Sequence, residues 1–167
     1  MAFKGTKLSV GELIARAKAA PDPDWGAVYG HSLRHVAADE AASAAELVEQ
    51  GAPLNDCWRF GILQTLDDYN SAVRRGGTEL GAQVFEKEPQ RTGSEEIDAA
   101  FAALAEHLAR RDGWVVPAWA LDPTRRTEHW YAAQFPSAYF YAEADRESPS
   151  AFRTRGIFIS ANSLNRA

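Results

Sequence analysis

A mainly α fold is predicted: a bundle of about four main helices carrying an irregular, aromatic-rich C-terminal cap. Two observations point to it. Apolar residues recur at helical spacing in segments bounded by capping and glycine signals up to Gly113, and that periodicity then stops. Residues 114–167 instead hold 10 of the 18 aromatic residues, with several prolines. The expected organisation is a bundle over 1–113 with the cap of 114–167 packed on it as one folding unit.

The first helix is expected from Ser9 to about Ala20. Ser9 and Glu12 form a capping box, Leu8 and Leu13 a hydrophobic staple, and Pro21 and Pro23 a stop. Trp25 and Tyr29 follow as expected anchors. A second helix is expected from near Ser32 to Gly51, with Leu33, Val36, Ala37, Ala44, Leu47 and Val48 as its stripe. A third follows Pro53, capped by Asn55 or Asp56. Its stripe is Leu54, Trp58, Ile62, Leu66, Tyr69 and Val73, and Arg74-Arg75-Gly76-Gly77 makes a basic last turn and a glycine stop. A short helix over Leu80 to Phe85 and a polar connector come next. The fourth strong helix runs from Ser94 to about Asp112, with Glu95 and Glu96 at its positive end, Ile97, Ala100, Phe101, Leu104 and Leu108 as its stripe, and Gly113 as its close.

Charge is unevenly placed. The net charge is −5 and the pI about 5.4, a poor match to duplex DNA, where phosphate neutralisation supplies most non-specific affinity. Residues 1–121 hold 12 Lys+Arg against 18 Asp+Glu, whereas 122–167 hold 6 arginines, no lysine and 5 acids. Arginine without lysine is the choice where planar, bidentate or stacking contacts matter. Cys57 stands alone, so neither a disulfide nor a cysteine-based zinc site is available. The start MAFKGTKLSV lacks an apolar h-region and no apolar run reaches membrane-spanning length, which leads to the expectation of a cytoplasmic protein.

Catalytic signals are sparse. His31, His35 and Asp39 fall at i, i+4 and i+8 and would share one helix face, the spacing of helical metal ligands, but the internal glutamate of a zincin is missing. A helix edge or cap is the preferred reading of these residues, and a metal-dependent enzyme using His31, His35 and Asp39 an alternative. Asp67 and Asp68 point about 100° apart on a helix, and are read as a solvated face. Glu106 and His107 are likewise read as surface positions. Ala44 to Leu63 fits a helix-turn-helix template that would present Asn55, Asp56, Arg59 and, just beyond it, Gln64. With one base among those four, a helix hairpin is the preferred reading and a transcriptional regulator using residues 44–64 an alternative. No serine-histidine-acid signature, P-loop or dinucleotide fingerprint occurs.

The cap holds the remaining candidates. Trp130, Phe152 and Phe158 lie among Arg125, Arg126, Arg146, Arg153 and Arg155. Such a set builds either a secondary core with arginines stacked on rings, or a protein-binding face, where Trp, Tyr and Arg dominate.

The run AALAEHLA (Ala102 to Ala109), VPAWA (Val116 to Ala120) and the terminus SPSAFRTRGIFISANSLNRA (Ser148 to Ala167) resemble a group of small bacterial proteins. Their shared terminus has the form SPxxFRxRxIF, then Ile or Val, a spacer, and LxR before Ala or Cys. This chain departs from the pattern in carrying His129-Trp130-Tyr131 where a Trp-Phe pair after proline is usual. The group is often encoded beside nucleotidyltransferase-fold toxins. The resemblance therefore implies an antitoxin: no enzyme, no cofactor, and a cognate toxin, a nucleotidyltransferase, as its partner. On that reading Arg153 and Arg155 are clamps, with Trp130, Phe152 and Phe158 as packing elements.

Overall fold

A computed structural model of the chain describes residues 33–132 and 135–166, together with Val10. The expected capping box of Ser9 and Glu12, the anchors Trp25 and Tyr29, and His31 lie outside the described residues. The chain divides into two units, Met1–Gly30 and His31–Ala167, and every complete helix and strand among the described residues lies in the second.

Helix α1 (Ala37–Glu49) starts later than expected, because residues 33–36 are not helical. Val36 is extended, and the Asp39 carboxylate accepts its N–H at 3.0 Å, one half of a capping box. At the other end the Ala52 N–H reaches the Leu47 carbonyl and the Gly51 N–H that of Val48, a Schellman closure that needs Gly51 at positive φ.

Pro53 opens α2 (Leu54–Cys57), so Asn55 and Asp56 lie inside its first turn and do not cap it. A π-helical turn, Trp58–Leu63, continues into α3 (Gln64–Gln83). The reason lies in the stripe. Leu54, Trp58, Ile62 and Leu66 are four apart each time, a spacing that drifts about 40° per step around an α-helix. A wider π turn takes up that drift and keeps Trp58, Ile62 and Leu66 buried. In the same turn Gly61 lies against Ala44 of α1 and Phe101, where a Cβ would come within 3.2 Å of the Ala44 Cβ. The expected glycine stop is present as a break: Gly76 and Gly77 leave helical geometry, and the short helix after them ends at Gln83.

Helix α4 (Glu95–Asp112) is the centre of the unit. Ser94 caps it by accepting the Ile97 N–H, acids fill its first turn, Arg110 and Arg111 its last, and left-handed Gly113 ends it. The stripe expected on one face is buried, but so are Ala99, Ala102, Ala103, Ala105 and Ala109. Alanines on its other faces let neighbours close around it.

After α4 come a 3₁₀ turn (Ala118–Leu121), strand β1 (Trp130–Tyr131), α5 (Ala138–Glu147), α6 (Ser150–Arg153), β2 (Ile157–Phe158) and a final 3₁₀ turn (Ala161–Leu164). The strands form a two-residue parallel bridge, Trp130 beside Ile157 and Tyr131 beside Phe158. One hydrophobic cluster runs from Ala37 through Phe101 to Phe152, Ile157 and Ile159, so these cap residues complete the core of the helices. The described chain is mainly helical, with its C-terminal region rich in aromatic contacts. Among the described residues no helix is long and apolar enough to cross a membrane.

Candidate partner-binding surface

The terminal motif is built chiefly to hold itself in place. Ser148 donates to carbonyls of Ala144 and Ile159 and accepts the Ile159 N–H at 2.9 Å, tying β2 to α5. Pro149 opens α6, and Phe152 is fully buried between Trp58 and His107, at ring-centroid distances of 6.2 and 6.0 Å. Arg155 is only 8% exposed. Its Nη1 donates to Glu106 and to the Ala151 carbonyl at 2.8 Å, and its Nη2 donates to the Ala120 carbonyl, so one guanidinium joins α4, α6 and the 3₁₀ turn. Gly156 follows at φ +79°, and a Cβ there would overlap the Thr127 carbonyl oxygen.

Two surface readings are corrected by this arrangement. Glu106 is buried, taking Arg155 on one oxygen and Arg110 on the other. His107 is half-buried against Phe152; burial, and then the nearby Arg111, push its pKa below the ordinary 6.5.

Of the five candidate contact residues, Phe152 and Arg155 are thus committed to the interior. Trp130 is half-buried, edge-on to Trp58 at 5.8 Å. Arg153 is exposed and donates to the Asp145 carbonyl at 2.8 Å, closing α6 onto the end of α5. Phe158 is half-buried and stacks on His129 at 4.4 Å.

Around Phe158 gathers an aromatic surface whose full extent the spacing of the sequence does not single out. Tyr131 packs against Phe158 at 5.4 Å and Tyr141 at 4.7 Å, and its hydroxyl donates to Asp145 at 2.6 Å. Helix α5, capped by Ser137, buries only Ala144. Its Tyr139 is 76% exposed, and Phe135 just before it 84%. A groove of about 320 Å³ lies beside these rings, lined among others by Trp58, Leu63, Phe135, Phe140 and Arg166. The available signal is the run Tyr139-Phe140-Tyr141 itself: three successive aromatics on a helix cannot all face inward.

The other candidates are dispersed. His35 precedes α1, so the i, i+4, i+8 face does not form; Asp39 caps Val36. Among the described residues no group of three or more histidine, cysteine or acidic side chains is placed to hold a metal. The helix-turn-helix candidate is a hairpin in which Asp56, Arg59 and Gln64 are exposed and Asn55 is half-buried.

Asp67 and Asp68 are not a solvated pair. Arg166 binds Asp67 through two hydrogen bonds of 3.0 and 2.8 Å, pinning the C-terminal segment to α3. Asp68 is half-buried and meets Glu40 of α1, which is 9% exposed. Asp68 accepts from Gln64 through Oδ1 at 3.3 Å, while its Oδ2 is buried without a hydrogen-bond partner among the described residues. Burial and then the Asp68 charge push Glu40 up to about 7, and burial raises Asp68. His35 lies 3.8 Å from Glu40. The sequence carries a signal for this pair: Glu40 sits midway between Val36 and Ala44, four residues from each, on the apolar stripe.

Comparison with family models, with curated proteins and with solved structures gave no match to this chain.

Proposed function

We propose that this protein is a non-enzymatic, cytoplasmic antitoxin-like partner that neutralises a nucleotidyltransferase-type toxin by direct contact. The observation carrying the reading is α5, a ten-residue helix that buries one side chain and turns tyrosines outward beside Phe135. Rigid aromatic rings give large contact area at small entropic cost, and clusters of them form interface hot spots. Glu143, Asp145 and Glu147 run along the same helix with only Arg146 against them. That charge suits a cation-lined nucleotide cleft and would speed association with it. The resemblance of the terminal motif supplies the class of partner. The buried roles of Arg155 and Phe152 assign them to holding the cap, leaving Tyr139, Phe135 and Phe158 as the contact set.

Coexpression with a nucleotidyltransferase-fold toxin of the kind found beside the genes of the resembling proteins tests the reading. Co-purification and restored growth are expected. Absence of both refutes it.

A further inference from the structure

The basic end of the cap frames a second site. A pocket of about 230 Å³ opens where the turn 122–126 meets α6 and the end of α4, and Arg125, Arg126 and Arg155 line it with Thr154. Two acids, Glu106 and Asp122, also line it, and both are already engaged. Glu106 holds Arg155 and Arg110, while Asp122 holds Arg91 and accepts from Thr124. Arg126 is exposed and makes no hydrogen bond or ion pair among the described residues.

Arg125 is the telling group. It is 1% exposed, donates through Nη2 to the Pro89 carbonyl at 2.6 Å and to Glu88 at 3.2 Å, and lies over the Trp119 ring at 5.2 Å. Its Nε and Nη1 are buried without a hydrogen-bond partner among the described residues. Glu88 is itself 60% exposed at its side chain, so solvent weakens the acid hydrogen-bonded to this guanidinium, and Asp122, which also feels the Arg125 charge, is engaged with Arg91 and Thr124. A buried cation left half-bonded carries a standing desolvation cost, and an anion in the adjoining pocket offsets it. Arg155 is balanced by Glu106 and Arg125 by a solvated Glu88, so Arg126, unpaired among the described residues, is the charge that favours an anion here, in a chain of net charge −5. The guanidinium fork matches the tetrahedral oxygens of a phosphoryl group.

We propose that the pocket bounded by Arg125, Arg126, Thr154 and Arg155 is a phosphoryl-binding site. It takes inorganic phosphate or the terminal phosphate of a nucleotide, and it stands independently of the partner-binding surface. Arg126 makes the direct contact, and Arg125 supplies buried positive potential behind it.

The test uses the full chain and follows arginine side-chain N–H signals by NMR during titration with inorganic phosphate, and in a parallel arm with AMP, at constant ionic strength. A saturable shift of the Arg125 or Arg126 signals is expected. Affinity should fall about tenfold or more in Arg126→Gln and stay unchanged in Arg59→Gln, an exposed arginine outside the pocket. Tighter binding of AMP than of phosphate identifies a nucleotide; equal binding identifies free phosphate. No saturable shift in either arm, or equal loss in Arg59→Gln, overturns the proposal. Because Arg126 is exposed, its variant is expected to keep the native circular dichroism, which is measured alongside.

Discussion

Replacing Glu40 by Gln should remove a pH dependence written into the core. Gln has the shape of the protonated acid but carries no titrating proton. In the folded protein Glu40 holds its proton up to about pH 7, whereas its ordinary value is 4.5. Between those limits the folded state binds more protons than the unfolded one, so raising pH costs stability. The contribution is fully present below about 4.5, is lost progressively as pH rises to about 7, and then levels off. At about 1.4 kcal/mol per tenfold change, that span sets a ceiling near 3 kcal/mol. Asp68 shifts in the same direction and titrates together with Glu40, so about 2–3 kcal/mol is expected for the pair. His107 acts oppositely, since its lowered value removes stability as pH falls through the 6.5 region. The measured quantity is therefore the difference between Glu40→Gln and the native chain, from urea unfolding at several values between about pH 5 and about pH 8. Glu40→Gln should gain about 2–3 kcal/mol on the native chain across that range. Parallel curves for the two proteins would refute the buried-pair account.

Arg155→Met removes the guanidinium but leaves Glu106 buried with only Arg110, so thermal unfolding should report a loss of about 3–5 kcal/mol. Arg153→Ala, exposed and holding one carbonyl, should cost about 1 kcal/mol or less in the same assay. Gly156→Ala meets both the Thr127 carbonyl and a positive φ, and is expected to destabilise by about 2 kcal/mol or more in urea titration. Tyr69→Phe deletes a hydroxyl that donates to Asp112 at 2.6 Å and accepts from Trp114 at 3.0 Å. A loss of about 1–3 kcal/mol should appear, and the tyrosine ionisation near pH 12 should vanish from the ultraviolet titration.

Elements governed by local chemistry are legible in the sequence. Ser94 caps α4, Gly113 ends it and the Gly76-Gly77 pair breaks α3, because each depends on a few neighbouring backbone groups. Long-range pairing is not legible. Glu106 and Arg155 meet across 49 residues, and nothing in the spacing of Arg153 and Arg155 tells which one turns inward. A short offset at the end of α6 decides it, with Gly156 bending the chain so that Arg155 returns over Ala151. Helix α4 reads as one-sided when its alanines are counted as neutral, yet small side chains are what let both the helices and the cap enclose it. The start of α1 is displaced from its expected position because Ser32 is a good capping residue, while the backbone enters the helix only at Ala37, where Asp39 supplies the cap. The terminal motif is the most specific feature of the sequence, and its buried residues, Ser148, Phe152, Arg155 and Ile159 among them, hold the cap in place. The exposed aromatics of α5, lying upstream of it, carry the candidate contact.

Affinity of the native chain for the proposed partner, a nucleotidyltransferase-type toxin, compared with that of the double variant Phe135→Ala, Tyr139→Ala, tests the central claim most directly. Both side chains are exposed, so the variant should unfold at the native temperature while its affinity falls about 30-fold or more, the loss of a hot-spot pair. Undiminished affinity in a folded double variant would contradict the assignment of α5 as the binding face.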